Sequence, residues 1–169
     1  DCLPKTAWPP DFEFYVGTTP KDPPGNIVKV CLDSDGQLVD KSYYEAVSPA
    51  YLCRKGSCIY AVIENADFGG VQVFDVNKNG SLTAKARLDT EDVYSTYISA
   101  EKRGNRIFVA NYGTPSCAVY RYEAEKLVQE SVLREKKTEK SHIHCAALTP
   151  EEAYVCLVDV GTDEILVYA

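Results

Sequence analysis

Two histidines separated by one residue, His142 and His144, are the side chains best suited to move a proton near neutral pH. They are the only histidines among the 169 residues. The carboxylate of Glu64 is an alternative base, or a partner that orients an imidazole. A water molecule activated by such groups attacks a lactone carbonyl if the resulting oxyanion is stabilised. We therefore take His142, His144 and Glu64 as the candidate catalytic residues.

Four further residues are candidates for contacting a substrate. Asn111 and Tyr112 can donate hydrogen bonds to substrate oxygens, and Asp159 is another alternative base or orienting partner. Lys140 closes a lysine-rich segment and could bind a phosphate or carboxylate. Imidazole, carboxylate, amide and ammonium groups on one face predict a site for an anionic, oxygen-rich small molecule.

Each of these residues also has a purely structural interpretation. Asn111 and Asp159 can cap turns through bonds from side chain to backbone, which is as plausible as ligand contact. Tyr112 can be a packing aromatic, Glu64 a solvated loop edge, and Lys140 part of a solvated charged face. One of the two histidines can simply satisfy a buried carbonyl.

A repeat of short apolar strands positions these residues. The starts of its core strands lie 45, 48 and 48 residues apart, at 14–18, 59–63, 107–111 and 155–159. Further strands precede and follow each core strand, and no amphipathic helix is predicted. Four strands in about 45 residues is the size of a propeller blade.

We label the strands of a blade A to D from the axis outward, and the chain then reads B-C-D, A-B-C-D, A-B-C-D, A-B-C. The predicted fold is all-β, a β-propeller of four-stranded antiparallel blades with about three and a half blades in this chain. Residues 1–13 are predicted to form an irregular arm, and residues 14–169 half of a seven-bladed ring. Open blade faces need neighbours, so we expect the remaining half on a second chain or in a missing segment. A homodimer of two half-rings is the less favoured alternative.

The repeat also predicts where the polar residues meet. Strands A and B are antiparallel neighbours, so the start of A and the end of B lie at the same end of a blade. The two histidines precede or begin a strand A, where alternate residues project to one side. Glu64, Asn111 and Asp159 follow or end three strands B. All of these side chains should therefore gather on one face near the axis.

Composition argues against several classes of protein. The net charge of −7 disfavours nucleic-acid binding, and no apolar run approaches the length of a membrane span. We predict no metal site, because no CxxC motif occurs, and no motif requires a cofactor. The expected compartment is the cytoplasm, although the sequon at Asn79 leaves secretion open; a type I′ turn at Asn79-Gly80 is the favoured interpretation of that motif.

Seven cysteines are an odd number, so at least one cannot pair within the chain. Cys53 and Cys58 flank a short turn, which makes a disulfide between them possible. Four others lie in apolar strand-like segments and are predicted to be small buried hydrophobes: Cys31, Cys117, Cys145 and Cys156.

Five motifs occur in order along the chain, at 14–19 (FYVGTT), 109–113 (VANYG), 141–144 (SHIH), 148–150 (LTP) and 158–163 (VDVGTD). Together they resemble the lactonase family of seven-bladed propellers, which includes bacterial-type 6-phosphogluconolactonase and carboxymuconate cyclase. The resemblance implies hydrolysis of a sugar-acid lactone, such as 6-phosphogluconolactone, by an activated water without a cofactor. The alternatives are a carboxymuconate-type cycloisomerase and a non-catalytic binding propeller.

Three positions depart from the family pattern. Tyr97 stands where the family often has histidine, Ile63 where asparagine precedes the glutamate, and Ser141 where it has proline. The first two departures favour the binding propeller, whereas the retained histidines and glutamate favour an enzyme.

Overall fold

A computed structural model describes residues 12–19, 25–134 and 138–169, and every regular element in these ranges is a β-strand. Most of the predicted arm, residues 1–11, lies outside the described residues. The first strand begins at Phe12, two residues before the predicted start, because Phe12 already pairs with Leu32.

In the described part of the chain, fourteen strands form four antiparallel sheets, which we call blades 1 to 4 in chain order. Blades 1 and 2 contain β1 (Phe12–Gly17), β2 (Gly25–Leu32), β3 (Leu38–Ala46), β4 (Leu52–Lys55), β5 (Cys58–Val62), β6 (Gly69–Val76) and β7 (Leu82–Thr90). Blades 3 and 4 contain β8 (Ser95–Ala100), β9 (Arg106–Asn111), β10 (Ser116–Glu123), β11 (Lys126–Arg134), β12 (Ile143–Leu148), β13 (Val155–Asp159) and β14 (Glu164–Tyr168). The strand orders are B-C-D, A-B-C-D, A-B-C-D and A-B-C, which confirms the predicted propeller blades.

Three hydrophobic clusters hold neighbouring blades together. Strand β9 shows why the blades stack: Ile107 and Val109 point into the cluster shared with blade 2, while Phe108 and Ala110 point into the cluster shared with blade 4. Successive residues of a strand face opposite sides, so a strand that is apolar at every position needs a neighbour on both faces. A third cluster, around Ile27, joins blades 1 and 2.

Hydrogen bonds also link the inner strands of blades 3 and 4. The Ser99 hydroxyl donates to the Ala146 carbonyl at 2.6 Å, and the Thr96 hydroxyl donates to the His144 carbonyl at 3.3 Å. These contacts fix strand β8 against strand β12 close to the axis. The relative positions of side chains on the two strands are therefore fixed as well.

The hairpin between β6 and β7 rests on blade 1. Lys29 donates to the Asn79 carbonyl at 2.9 Å and is paired with Glu13 at 2.8 Å, while the Tyr15 hydroxyl donates to the Gly80 carbonyl at 2.8 Å. Lys29 is buried, so these polar contacts compensate the desolvation of its ammonium group. We call this group of contacts the hairpin clasp.

The prediction of a type I′ turn at Asn79-Gly80 is wrong. Only Gly80 has a positive φ there, +74°. The N–H of Gly80 donates to the carbonyl of Asn77, and the N–H of Asn77 donates to the carbonyl of Ser81. This pattern is a type I turn followed by a left-handed glycine. The signature of a type I′ turn, two adjacent positive φ values, occurs instead at Ala124 and Glu125 in blade 3.

The possible disulfide between Cys53 and Cys58 is not formed, and both thiols are free. The strand register explains why. Cys58 pairs with Lys55 across the two-residue turn, whereas Cys53 pairs with Tyr60, so the two cysteines are not opposite each other.

Among the described residues, one face of blade 1 and one face of blade 4 have no neighbouring blade and are open. On blade 1, Phe12, Phe14 and Val16 are exposed; on blade 4, Ile165 and Val167 are exposed. Cys31 and Cys117 are buried as predicted, but Cys145 and Cys156 are only half-buried. Cys156 pairs with the exposed Val167 and shares its open face.

Gly80→Ala should destabilise the protein more than Gly36→Ala. Both glycines have φ near +75°, so an added Cβ costs about 1 kcal/mol of backbone energy at either site. A Cβ at Gly36 meets nothing within 4 Å, whereas at Gly80 it would lie against the carboxylate of Glu13 and the ammonium group of Lys29, so these side chains must shift and the hairpin clasp is disturbed. We expect a total loss of about 2 kcal/mol for Gly80→Ala in urea unfolding. Equal losses in the two variants would show that the clasp contributes nothing.

Candidate functional site

An open cavity of about 520 Å³ lies where inner strands begin and second strands end in blades 2 to 4. Its lining residues come from three blades: Glu64, Tyr94, Thr96, Tyr112, His144 and Val160. The structure thus brings three of the predicted site residues, Glu64, Tyr112 and His144, to one cavity. Their convergence follows from the stacking of the blades, since they are far apart in sequence.

Backbone hydrogen bonds show that the cavity uses equivalent positions of successive blades. The N–H of Glu64 donates to the carbonyl of Ser48, at 3.1 Å. In blade 3, Tyr112 donates in the same way to Tyr94, at 2.9 Å. In blade 4, Val160 donates to His142, at 3.0 Å. One backbone arrangement therefore presents a carboxylate, a phenol and an alkyl group to the same space.

Thr96 and His144 both reach the cavity from β-bulges. In β8, Ser95 pairs with Asn111 and Tyr97 with Ala110, which leaves Thr96 as the extra residue. In β12, the pairing shifts in the same way around His144. A bulge re-aims a side chain relative to the regular alternation of a strand. The prediction that His142 and His144 project to one side of a strand is therefore wrong, because β12 starts after His142 and His144 lies in its bulge.

His142 lies behind Tyr112 and is not part of the cavity lining. Its ring stacks on the Tyr112 ring with centroids 4.2 Å apart and planes 6° apart, and its Nδ1 lies 3.0 Å from the Tyr112 carbonyl oxygen. A carbonyl oxygen only accepts, so the neutral imidazole carries its proton on Nδ1. The His144 ring lies edge-on to the same tyrosine, 6.0 Å away. Tyr112 therefore contacts both histidine rings.

Asn111 and Asp159 brace the backbone below the cavity. Asn111 is fully buried; its Oδ1 accepts from the Ser95 hydroxyl at 2.7 Å, and its Nδ2 donates to the Ser116 hydroxyl at 3.0 Å. Asp159 is also buried, and its Oδ1 accepts from the backbone N–H groups of His142, at 2.8 Å, and Gly161, at 3.0 Å. These contacts match the structural interpretation of both residues.

Two opposing effects act on the Asp159 carboxyl. Burial by itself raises its pKa, but hydrogen bonds from the N–H groups of His142 and Gly161, together with those from the Thr162 and Ser141 side chains, outweigh burial and hold the pKa below its usual range. The group is therefore a stable carboxylate that orders the segment carrying His142. Lys140, two residues before His142, is exposed and lies outside the cavity lining.

The carboxyl of Glu64, which lines the cavity, has a shifted pKa. Its side chain is half-buried, and burial raises the pKa of the carboxyl, while the nearby His144 imidazole opposes part of that rise. Perturbed acids next to an imidazole in a cavity are typical of proton-transfer sites. The arrangement can accept, hold and return a proton close to a bound molecule.

Sequence reasoning missed three lining residues, Tyr94, Thr96 and Val160. The repeat itself contained a signal for Val160, because it follows Asp159 as Tyr112 follows Asn111. Tyr94 and Thr96 depend on the loop before β8 and on its bulge, which no sequence pattern indicated. Within the ranges described, no group of three or more His, Cys, Asp or Glu side chains could hold a metal ion, and no helix is long and apolar enough to cross a membrane.

Comparison with known proteins identifies relatives of this chain. The model of a family described as "Lactonase, 7-bladed beta-propeller" matches residues 13–169. The chain is 29% identical over 167 residues to the 6-phosphogluconolactonase of Bacillus subtilis, covering 91% of this chain and 48% of that protein. It is 28% identical to an uncharacterised protein of Staphylococcus saprophyticus, again over 91% of this chain and 48% of the relative.

Solved structures share the fold. The periplasmic gluconolactonase of Pseudomonas aeruginosa superposes with a TM-score of 0.79 at 22% identity, over 92% of this chain and 49% of its own. A putative 6-phosphogluconolactonase of Bacteroides fragilis gives a TM-score of 0.77 at 24% identity, over 93% and 48%. This chain therefore spans about half the length of the relatives that it matches.

Replacing His144 by alanine should raise the pKa of Glu64 further. The imidazole is the group that opposes the effect of burial, so its removal leaves desolvation unbalanced. The pKa can be followed by carbon NMR of the labelled Glu64 carboxyl. His142→Ala is the matched control and should leave that pKa unchanged; a fall in the His144→Ala variant would contradict the described electrostatics.

Proposed function

Since this chain belongs to the lactonase family of seven-bladed β-propellers, we propose that it forms half of an enzyme that hydrolyses a sugar-acid lactone by means of an activated water. The observation that carries the proposal is the meeting of Glu64 and His144 in one open cavity, where the imidazole lowers the pKa that burial raises at the half-buried carboxyl. A lactone needs no metal or redox group for hydrolysis, only a base and a donor for the oxyanion.

In the proposed reaction, a water oxygen attacks the carbonyl carbon while His144 accepts the proton that the water loses. Glu64 orients the imidazole and stabilises its positive charge; the opposite assignment, with Glu64 as base, uses the same atoms. The tetrahedral intermediate then loses the bond between the carbonyl carbon and the ring oxygen. The ring oxygen takes the proton back, and the product is the open-chain hydroxy acid.

The remaining predicted residues take supporting roles in this proposal. Tyr112 contacts both histidine rings and offers a hydroxyl for the substrate or the oxyanion. His142 and Asp159 position Tyr112 and the segment before β12. Asn111 positions the strand ends through Ser95 and Ser116. Lys140 supplies a cation at the rim for the phosphate of a substrate such as 6-phosphogluconolactone.

One departure from the family pattern weighs less than the sequence alone suggests. Ile63 is fully buried and directly precedes Glu64, in the position that Asn111 and Asp159 occupy in the next blades. Those residues brace the backbone and do not line the cavity. The isoleucine therefore takes the place of a structural residue, and no reacting group is lost. Tyr97, in contrast, packs against Tyr51 with ring centroids 4.4 Å apart and planes tilted by 35°. As a departure from the histidine of the family pattern, it still favours the rival idea of a binding propeller.

Removing the carboxylate or the imidazole should abolish most of the activity. Glu64→Gln and His144→Ala are each expected to lower kcat by about 100-fold to 10,000-fold, the usual contribution of general acid–base catalysis. The measurement is hydrolysis of D-glucono-δ-lactone and its 6-phosphate by the assembled propeller, with Glu151→Gln as the control at an exposed glutamate. If the wild-type assembly hydrolyses neither lactone, the proposed enzyme is overturned. Turnover of a muconate-type substrate would instead favour the cycloisomerase, and binding without turnover the binding propeller.

The same assay distinguishes the two lactones. Lys140→Met should raise KM for the phosphorylated lactone only, since an ammonium group binds phosphate as a point charge. An equal effect on both lactones would contradict a phosphate contact.

We also propose that the active assembly requires the remaining half of the ring. Seven four-stranded blades contain twice the fourteen strands seen in the described residues, and blades 1 and 4 each leave an apolar face open. The isolated chain should therefore show no lactonase activity above that of buffer, whereas the assembly with the missing blades should be active. Native mass spectrometry of the purified protein identifies which species is present. Full activity of the isolated chain would show that the cavity is complete without them.

A further inference from the structure

Tyr94 combines three features that are rarely found together. It lines the cavity with Glu64 and His144, its side chain is 40% exposed, and its φ is +53°. A bulky residue in the left-handed region is uncommon because its Cβ crowds the backbone. Such strain persists only where the surroundings fix it, and it is concentrated at binding and catalytic sites.

The backbone of Tyr94 is held on both sides by cavity segments. Its N–H donates to the carbonyl of Asn65, the residue after Glu64, at 2.9 Å. Its own carbonyl accepts from the N–H of Tyr112 at 2.9 Å. The strained residue thus connects the Glu64 loop of blade 2 to the Tyr112 loop of blade 3.

The residues before Tyr94 are fixed as well. Val93 donates to the Thr114 hydroxyl at 3.1 Å and accepts from the Gly113 N–H at 3.1 Å. The buried carboxylate of Asp92 is paired with Arg134 at 2.8 Å. An added Cβ at Gly113 would lie only 2.8 Å from the Tyr94 ring, so this ring needs a glycine beside it.

The fold does not require a tyrosine at this position. The equivalent residue is Ser48 in blade 2, which is buried with φ +39°, and His142 in blade 4, which has no left-handed backbone. Each accepts the same backbone hydrogen bond that Tyr94 accepts. The aromatic ring is therefore an addition to the repeat, placed where it faces the cavity.

From these observations we propose that Tyr94 binds and positions the substrate, a role that rests on the proposed function of the cavity. The ring lies in the wall that also carries the Glu64 carboxylate and the His144 imidazole. It packs against the apolar face of a sugar lactone and holds the carbonyl toward these two groups. An aromatic ring combines apolar contact area with a hydroxyl that can bind sugar oxygens. Tyr94 is thus a determinant of KM and of substrate shape.

The test uses Tyr94→Asn, because asparagine tolerates the left-handed conformation, so the ring is lost without added strain. Tyr94→Phe keeps the ring and removes the hydroxyl. The matched control is Tyr154→Asn, the same change at a tyrosine that is 49% exposed on the hairpin at the opposite end of blade 4. The readouts are kcat and KM for D-glucono-δ-lactone, Kd for its product D-gluconate by calorimetry, and Tm, all on the assembled propeller.

We expect Tyr94→Asn to raise KM and Kd by about tenfold with kcat nearly unchanged. Tyr94→Phe should raise KM and Kd less. In both variants Tm should stay within about 3 °C of the wild type. Unchanged KM and Kd in Tyr94→Asn would overturn the proposal. A fall in Tm of more than about 5 °C that accompanies the loss would also overturn it, because the residue would then serve the fold. If the wild-type assembly binds gluconate but does not hydrolyse the lactone, the proposed lactonase activity is overturned, and Kd alone decides the role of Tyr94. If the wild-type assembly does not bind gluconate at all, both proposals are overturned.

Discussion

The structure depends on one constraint, which is that a blade sheet with two apolar faces must be covered on both of them. Strand β9 carries this constraint most clearly, because Ile107 and Val109 belong to one inter-blade cluster and Phe108 and Ala110 to the next. At about 25 cal/mol per Å² of buried apolar surface, such packing far outweighs the individual polar contacts between blades. Stacking therefore fixes how the blades are arranged around the axis, while antiparallel pairing within each blade fixes the end at which each loop emerges.

The cavity is a by-product of that stacking. Equivalent backbone positions in blades 2, 3 and 4 place Glu64, Tyr112 and Val160 in a row, each tied by its N–H to the loop before the inner strand. The repeat determines the backbone, while the chemistry comes from how the repeats differ. Bulges at Thr96 and His144 add two further side chains without disturbing the apolar pairs beyond them. Propeller blades can thus exchange reactive groups at low cost to their packing.

Much of this could be predicted from the sequence, because burial controls the pattern. The four blades followed from apolar strands at intervals of 45 to 48 residues, and the approach of Glu64 to His144 followed from antiparallel pairing within each blade together with the arrangement of the blades around one axis. The bulge at His144 was not predictable, since it changes no apolar position; neither was the left-handed Tyr94, whose conformation is imposed by Asn65 and Tyr112. Asn111 and Asp159 could not be assigned in advance between bracing and binding, because the same amide or carboxylate serves either role. The turn at Gly80 and the unpaired Cys53 were decided by strand register.

The open faces on blades 1 and 4 have a consequence for biosynthesis. Phe12, Phe14 and Val16 on one side, and Ile165 and Val167 on the other, lie on strands β1 and β14, which are edge strands of their sheets. An apolar edge strand is a template for pairing with any other extended chain. Until these surfaces are covered, the half-ring is prone to pair with other extended chains, including further copies of itself. Its yield in a cell should therefore depend on how well the two surfaces are covered.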